Sequence, residues 1–464
     1  MPGPAQLEAR SPIDGEVFCR RPLADGAAID AALAAAEAAF APWRATPLTE
    51  RIARMEAFLR ALRDDEARIV AELALQMGRP VRYGAGELGG VEERTRTMCA
   101  LAPTALGDLA VPAREGFTRF VRRTPVGPVL VLAPWNYPYL TAVNAIVPAL
   151  LAGNPVILKH SSQTPLVAER FQDAFDAAGL PPGVFQHLHA DHEATTAMVG
   201  SGRIRAAVFT GSVAGGAAVE RAAAGHFIPV GLELGGKDPA WVRADADLDT
   251  AVAGVLDGVF FNSGQSCCGI ERIYVHRSRF DEFVERAREV ALACVLGDPR
   301  AADTTMGPMV RASAADAVRV QIDAAVAAGA RTLVDADAFP RAAEGGVWLA
   351  PQLLVDVDHS MALMQEENFG PVAGIMAVDS DDEAVALMND SPYGLTASVW
   401  TRDLEAAIRL GDRIETGTVF MNRCDYLDPE LVWTGVKNSG RGTALSVLGF
   451  DTFTRPRSFH LRHR

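Results

Sequence analysis

Apolar positions change their period several times along the chain, and those changes mark out its elements. Over residues 1–25, short extended runs are broken by turn signals such as Ser11-Pro12-Ile13-Asp14-Gly15. Ile29, Leu33, Ala36 and Phe40 then share one helical face. Thr46-Pro47 reads as the N-cap and first position of a second helix, with Ile52, Met55, Phe58, Leu59 and Leu62 facing inward. Helical spacing runs on to about Gly107, and Phe117–Arg123 alternates as an exposed strand does.

From Val126 the pattern becomes strongly apolar, with no charged residue until Lys159. The length alone would allow a membrane span. Pro128, Pro134, Pro138, Pro148 and Pro155 interrupt it, so the spacing predicts two buried strands with a helix between them. Strands are expected at Val129–Ala133, Pro155–Lys159, Val184–His189, Arg205–Thr210 and Ile228–Glu233. Helices are expected at Tyr139–Ala152, Thr164–Gly179, Glu193–Val199 and Ala214–Ala224. Continuous apolar strands alternating with helices predict an α/β fold built on a Rossmann-like, doubly wound parallel sheet. Ligands of such sheets bind beyond the carboxyl ends of the strands, where Asn136, Lys159 with Ser162, Ser212 and Glu233 stand.

A second α/β series follows. Strands are expected at Ile273–His276, Val347–Val357, Val372–Val378, Thr396–Trp400 and Thr418–Met421, and a last one at Phe453–Leu461. Helices are expected at Phe280–Leu296, Ala315–Ala328, Asp382–Met388 and Leu404–Ile414. The length, 464 residues, suits two or three domains.

Composition adds three constraints. A net charge of -14 leaves no basic excess for nucleic acid. The six cysteines have no repeated spacing, and Met1-Pro2-Gly3-Pro4 lacks the basic-then-apolar order of a secretory leader, so a reducing cytoplasm is expected. Only Lys159, Lys237 and Lys437 are lysine among 44 basic residues, which leaves each as either a place where a compact cation works and a guanidinium does not, or a chance survivor on the surface.

Four short stretches carry candidate chemistry. Phe261-Asn262-Ser263-Gly264-Gln265-Ser266-Cys267-Cys268-Gly269 holds adjacent cysteines, which could be buried fillers, metal ligands, disulfide halves or a nucleophile. Phe209-Thr210-Gly211-Ser212-Val213-Ala214-Gly215-Gly216 is a Gly-rich strand–helix turn able to take a phosphate, though it departs from the G-x-G-x-x-G pattern. Glu233 sits between Leu232 and Leu234, where burial raises a carboxylate toward a useful base; its alternative is a structural ion pair with Lys237. Pro134-Trp135-Asn136-Tyr137-Pro138 fixes an amide that could face an oxyanion. His187, His189 and His192 lie close in sequence but alternate in direction along a strand end, so no metal site is expected.

Together these stretches, with Leu158-Lys159, Leu232 to Lys237, Glu366-Glu367-Asn368-Phe369-Gly370-Pro371 and Gly435-Val436-Lys437-Asn438-Ser439-Gly440, resemble the ordered motifs of the aldehyde dehydrogenase superfamily over essentially the whole chain. The resemblance implies NAD(P)-dependent oxidation of an aldehyde to its acid, with no metal. It makes Cys267 the nucleophile, Cys268 its inert neighbour, Glu233 the base, and Asn136 with the backbone N–H of Cys267 the oxyanion hole. It places the cofactor on Trp135, Lys159, Ser162, Gly211, Ser212, Gly216, Glu367 and Phe369. It further implies an NAD(P)-binding domain at 1–112 and 126–235, a catalytic domain at 236–445, and an oligomerisation arm at 113–125 and 446–464 forming a homodimer or homotetramer.

Departures from the pattern refine this. Members that prefer NAD often carry Glu three residues after the strand-end lysine, where this chain has Ser162, so NADP acceptance is expected. Succinic-semialdehyde members place Arg where Asn144 stands, which lowers the expectation of a short dicarboxylate semialdehyde. Tyr139, Leu140, Tyr426, Leu427 and Trp433 suggest an apolar or aromatic substrate funnel. An acylating enzyme using coenzyme A and a non-catalytic relative are the competing readings; Glu233 opposes the first, and the presence of Cys267, Glu233 and Asn136 together opposes the second.

Overall fold

The computed structural model describes residues 5–463; Met1–Pro4, on which the absence of a leader was read, and Arg464 lie outside them. Residues 5–25 hold an antiparallel hairpin, Gln6–Arg10 with Val17–Pro22. Helices Gly26–Ala45, Leu48–Asp64, Glu66–Met77 and Val81–Ala105 follow. The second of these starts one residue later than Thr46-Pro47 predicts, with Pro47 at its N-cap.

The first sheet runs in the order Gly440–Arg441, Val230–Glu233, Ala206–Thr210, Val129–Ala133, Val156–His160, Phe185–His187. Five of its strands are parallel, and Gly440–Arg441 joins antiparallel against Glu233 and Leu232. Helix Pro138–Ala152, apolar almost all round, is buried over most of its length against this sheet. Registers Ala133↔His160, Leu132↔Phe209 and Thr210↔Glu233 bring four carboxyl ends side by side. Each predicted polar group at those ends therefore reaches one edge.

The second sheet has the order Arg331–Thr332, Gln352–Val355, Val372–Val378, Ile270–His276, Asp238–Val242, Thr396–Trp400, Thr418–Met421. Its strand Asp238–Val242 lies inside the sheet, yet no strand is legible there from sequence. Asp238-Pro239 after Gly235-Gly236 reads as a turn, and proline is rare inside a sheet. The register shift between Asp238 and Pro239 accommodates the missing N–H, and Asp238 is occupied by Thr396 N and Oγ1 at 3.1 and 2.5 Å. The helix Leu248–Phe260, also absent from the sequence reading, returns the chain from this strand to the cysteine turn.

A third sheet pairs Thr454–Arg462 with Phe117–Pro125 over nine residues, with Leu109–Ala110 on the far side. Phe120 and Phe459 stack across it at 4.6 Å. Among the described residues no helix is long and apolar enough to cross a membrane.

Candidate active site

The cysteine turn is built by an unusual backbone. Asn262, Ser263 and Gly264 are three consecutive left-handed residues, with φ of 53°, 57° and 69°. Only glycine fits the third place: a Cβ on Gly264 would lie 2.1 Å from the Gly370 carbonyl oxygen. Two non-glycine residues in this region store strain of about 1–3 kcal/mol each. Their side chains hold the turn in place. Asn262 Nδ2 donates to the carbonyls of Asn136 and Gln265 at 3.2 and 3.1 Å, and Ser263 Oγ donates to Gly307 O at 2.9 Å. Gln265 spans the loop, donating to Asn262 O at 3.1 Å and accepting from Val310 N at 2.8 Å.

The two cysteines then part company. Cys267 is half-buried and lines a cavity of about 530 Å³. Cys268 is buried, and its Sγ donates to Asp425 Oδ1 at 2.8 Å, where Ser266 Oγ also donates at 3.1 Å. Hydrogen bonding with Cys267, burial and the Asp425 charge all push the Cys268 thiol far up, away from thiolate.

Asn136 is buried at the end of strand Val129–Ala133, and its Nδ2 donates to Gln265 O at 3.1 Å, two residues before Cys267. Glu233 ends strand Val230–Glu233 and faces the same cavity as Cys267. Burial raises its pKa, opposed by the hydrogen bond from Thr210 Oγ1 at 2.9 Å and the charge of Arg94. The alternative pairing with Lys237 does not form. Lys237 Nζ instead donates to Glu271 Oε2 at 2.7 Å and Asn368 Oδ1 at 2.8 Å.

Glu271 is a residue that sequence reasoning missed. Its carboxylate also accepts from the backbone N–H groups of Asn368 and Phe369 at 2.8 and 2.9 Å. It thereby clamps the Glu367–Phe369 loop, in which Phe369 is left-handed with φ 50°. The signal was present as a charged pair, Glu271-Arg272, at the head of an apolar run; the predicted strand started at Ile273 and left both outside it.

The predicted cofactor residues lie along the strand edge. Trp135 and Phe369 meet edge-to-face at 5.7 Å. Glu367 accepts from Gly236 N at 2.9 Å; burial and then the neighbouring Glu271 raise its pKa to about 8. Lys159 is half-buried with no hydrogen-bond or ion-pair partner among the described residues, and burial lowers its pKa. Ser162 and Ser212 are exposed. Ser212 Oγ accepts from Gly215 N at 3.2 Å and so caps helix Val213–Ala223. A Cβ on Gly211 or Gly215 would strike the Phe209 ring, and one on Gly216 would strike Leu234, so these glycines let the helix close onto the strands.

These groups fit an anionic dinucleotide. They offer an ammonium without a partner among the described residues, an open helix N-terminus for phosphate, and a carboxyl group able to accept ribose hydroxyls.

Of the predicted funnel, Leu140, Tyr426, Leu427 and Trp433 line the cavity, but Tyr139 does not. It is completely buried and packs 5.3 Å from Phe171. Successive helical residues point about 100° apart, so Tyr139 turns into the core while Leu140 turns to the cavity. Tyr137, just before the helix, takes the aromatic place in the wall. His187 and His189 are directed to Gln172 and Glu169 respectively.

A model of the aldehyde dehydrogenase family matches residues 2–459. The chain belongs to that family. It is 34% identical to the 3,6-anhydro-alpha-L-galactose dehydrogenase of Streptomyces coelicolor over 98% of this chain and 93% of the relative. It is 33% identical to the NAD(P)+ succinate semialdehyde dehydrogenase Sad of Escherichia coli, over 96% and 95%. Its fold superposes on the NAD-dependent aldehyde dehydrogenase of Sinorhizobium meliloti with a TM-score of 0.94 at 32% identity, covering 99% and 92% of the two chains. This aldehyde dehydrogenase is therefore an NAD(P)-dependent oxidoreductase that converts an aldehyde to the carboxylic acid.

Proposed function

We propose that Cys267 is the nucleophile of this dehydrogenase, that Glu233 is the base for deacylation, and that Asn136 with the Cys267 backbone N–H stabilises the oxyanion. The observation that carries the reading is convergence. Cys267, on the turn before a strand of the second sheet, and Glu233, at the end of a strand of the first, face one cavity, and the Asn136 amide is tied to the nucleophile's own loop.

The chemistry follows from those positions. The Cys267 sulfur adds to the aldehyde carbonyl, and the donors hold the negative oxygen of the thiohemiacetal. Going on to the thioester requires a hydride acceptor, which is the chemistry the nicotinamide of NAD(P) supplies when bound. Glu233, with its proton affinity raised by burial, takes a proton from water, and that water hydrolyses the thioester. Cys268, donating to Asp425, takes no part.

Lys159 and Ser162 would hold the adenosine ribose and a 2′-phosphate, Ser212 with the N-terminus of Val213–Ala223 the pyrophosphate, and Glu367 the nicotinamide ribose. Phe369 and Trp135 would flank the ring, and NADP is accepted. The nine-residue pairing of Thr454–Arg462 with Phe117–Pro125 leaves an edge strand of the kind proteins cover; it supports assembly into a homodimer or homotetramer. The place of action is the cytoplasm, consistent with six free cysteines.

The test is a comparison of Cys267→Ser, Cys268→Ser and Glu233→Gln with the wild type. Cys267→Ser is expected to lose about 1,000-fold or more in turnover, and Cys268→Ser to retain most of it. Glu233→Gln should give one rapid turnover of cofactor reduction and then stall with acyl group on the protein. Full turnover by Cys267→Ser, or acid release by Glu233→Gln at the wild-type rate, would sink the assignment.

A further inference from the structure

One cation in the cavity wall has no task in this scheme. Arg94, on helix Val81–Ala105, is 8% exposed and lines the cavity beside Asn144, Glu233 and Cys267. Its Nη1 donates to Leu140 O at 2.8 Å and Asn144 Oδ1 at 3.1 Å. Its Nε and Nη2 donate to no group among the described residues. A guanidinium removed from water is costly until its donors are met.

Apart from Asn144 Nδ2, buried without a partner among the described residues, the rest of the wall is matched or exposed. Arg79 pairs with Glu87 and reaches Asn262 Oδ1 at 3.3 Å. Arg82 is exposed and lies over the Tyr83 ring. Asp425 accepts from Cys268, Ser266 and Tyr137, and Glu93 accepts from Tyr426 Oη at 2.9 Å. Asp257 lies at the exposed rim. Beyond Cys267 and Glu233, already given tasks, the charge that the buried wall offers an incoming molecule is therefore one side of a guanidinium.

We propose that Arg94 determines specificity and that the substrate is an aldehyde bearing a carboxylate at the end remote from its carbonyl. The proposal rests on the reading of Cys267 as nucleophile. Nε and Nη2 form the edge of the guanidinium that a carboxylate grips with two parallel hydrogen bonds; a single hydroxyl would meet only one. The substitution of Asn144 for Arg argued against such a substrate when position 144 was considered alone. In the fold Asn144 Oδ1 holds Arg94, so the cation enters that part of the wall from the adjacent helix.

The experiment measures kcat/KM for 4-oxobutanoate and for butanal, which differ in the remote carboxylate, in the wild type, Arg94→Lys and Arg94→Met. The wild type is expected to favour the carboxylated aldehyde. Arg94→Met should cut that preference about 10- to 100-fold, through KM more than kcat, with Arg94→Lys between the two. A second measurement needs no variant: against butanal oxidation by the wild type, succinate should inhibit at a lower concentration than butyrate. Equal inhibition, or a preference unchanged in Arg94→Met, would overturn the proposal. A role only in tuning Glu233 would lower both substrates equally and shift the pH profile, which also overturns it. Butanal oxidation by Cys267→Ser tests the nucleophile separately: if that variant is inactive while the wild type oxidises butanal without a carboxylate preference, Arg94 fails alone.

Discussion

The cysteine turn and the strand ends of the first sheet are opposite solutions to placing polar groups. Around Cys267, Asn262, Ser263, Gln265 and Ser266 are all buried and hydrogen-bonded, and the backbone is held left-handed over three residues. At the other edge, Ser162 and Ser212 are exposed and Lys159 has no partner among the described residues. A sulfur that must meet a carbonyl in one geometry gains from a loop that cannot move. A phosphate is held by charge and open N–H groups, so leaving those groups unmet is the useful state. The substrate wall combines both, with Asp425 saturated and Arg94 open on one edge.

The largest break in this contrast is Gly264→Ala. Its methyl group would collide with Gly370 O, and its φ is left-handed, so the turn and the Phe369 loop must shift together. A loss of about 100-fold in kcat/KM is expected, since misplacing a reacting group by about 1 Å costs that much. Wild-type kinetics in this variant would show that the turn is softer than its backbone implies.

Ser162→Glu tests the open side. A carboxylate there repels a 2′-phosphate, and the KM for NADP should rise about tenfold while that for NAD changes little. Equal effects on the two cofactors would remove Ser162 from cofactor choice.

A third break concerns Glu367. Its folded pKa, about 8, stands above the ordinary 4.5. The folded protein therefore holds this proton more tightly than the unfolded chain does. Stability is expected to fall as pH rises from about 4.5 to about 8 and to level off beyond. Glu367→Gln should lack that slope, so its melting temperature should gain on the wild type across this interval. Parallel curves would place the burial of Glu367 in doubt.

Much of the first sheet was legible because its signals are local. Val129–Ala133 has the predicted ends, and the neighbouring strands differ by one or two residues. A buried parallel strand is an unbroken apolar run, and the sequence displays it directly. Asp238–Val242 was hidden because its opening Asp-Pro is tolerated only through a register shift and a bond to Thr396, 158 positions away.

The side-chain assignments divide in the same way. The motif residues, Cys267, Glu233, Asn136 and the cofactor set, stand at strand ends or turns, where local pattern marks them. The fold alone decided that Lys237 joins Glu271 and not Glu233, that Tyr139 turns inward while Tyr137 and Leu140 face the cavity, and that Asp425 takes the Cys268 thiol. It also decided that Arg94 reaches Asn144. Hydrophobic periodicity fixes which elements form, because burial acts on each element's own pattern. Which donor meets which acceptor depends on groups brought together by packing, and no spacing along the chain carries that information.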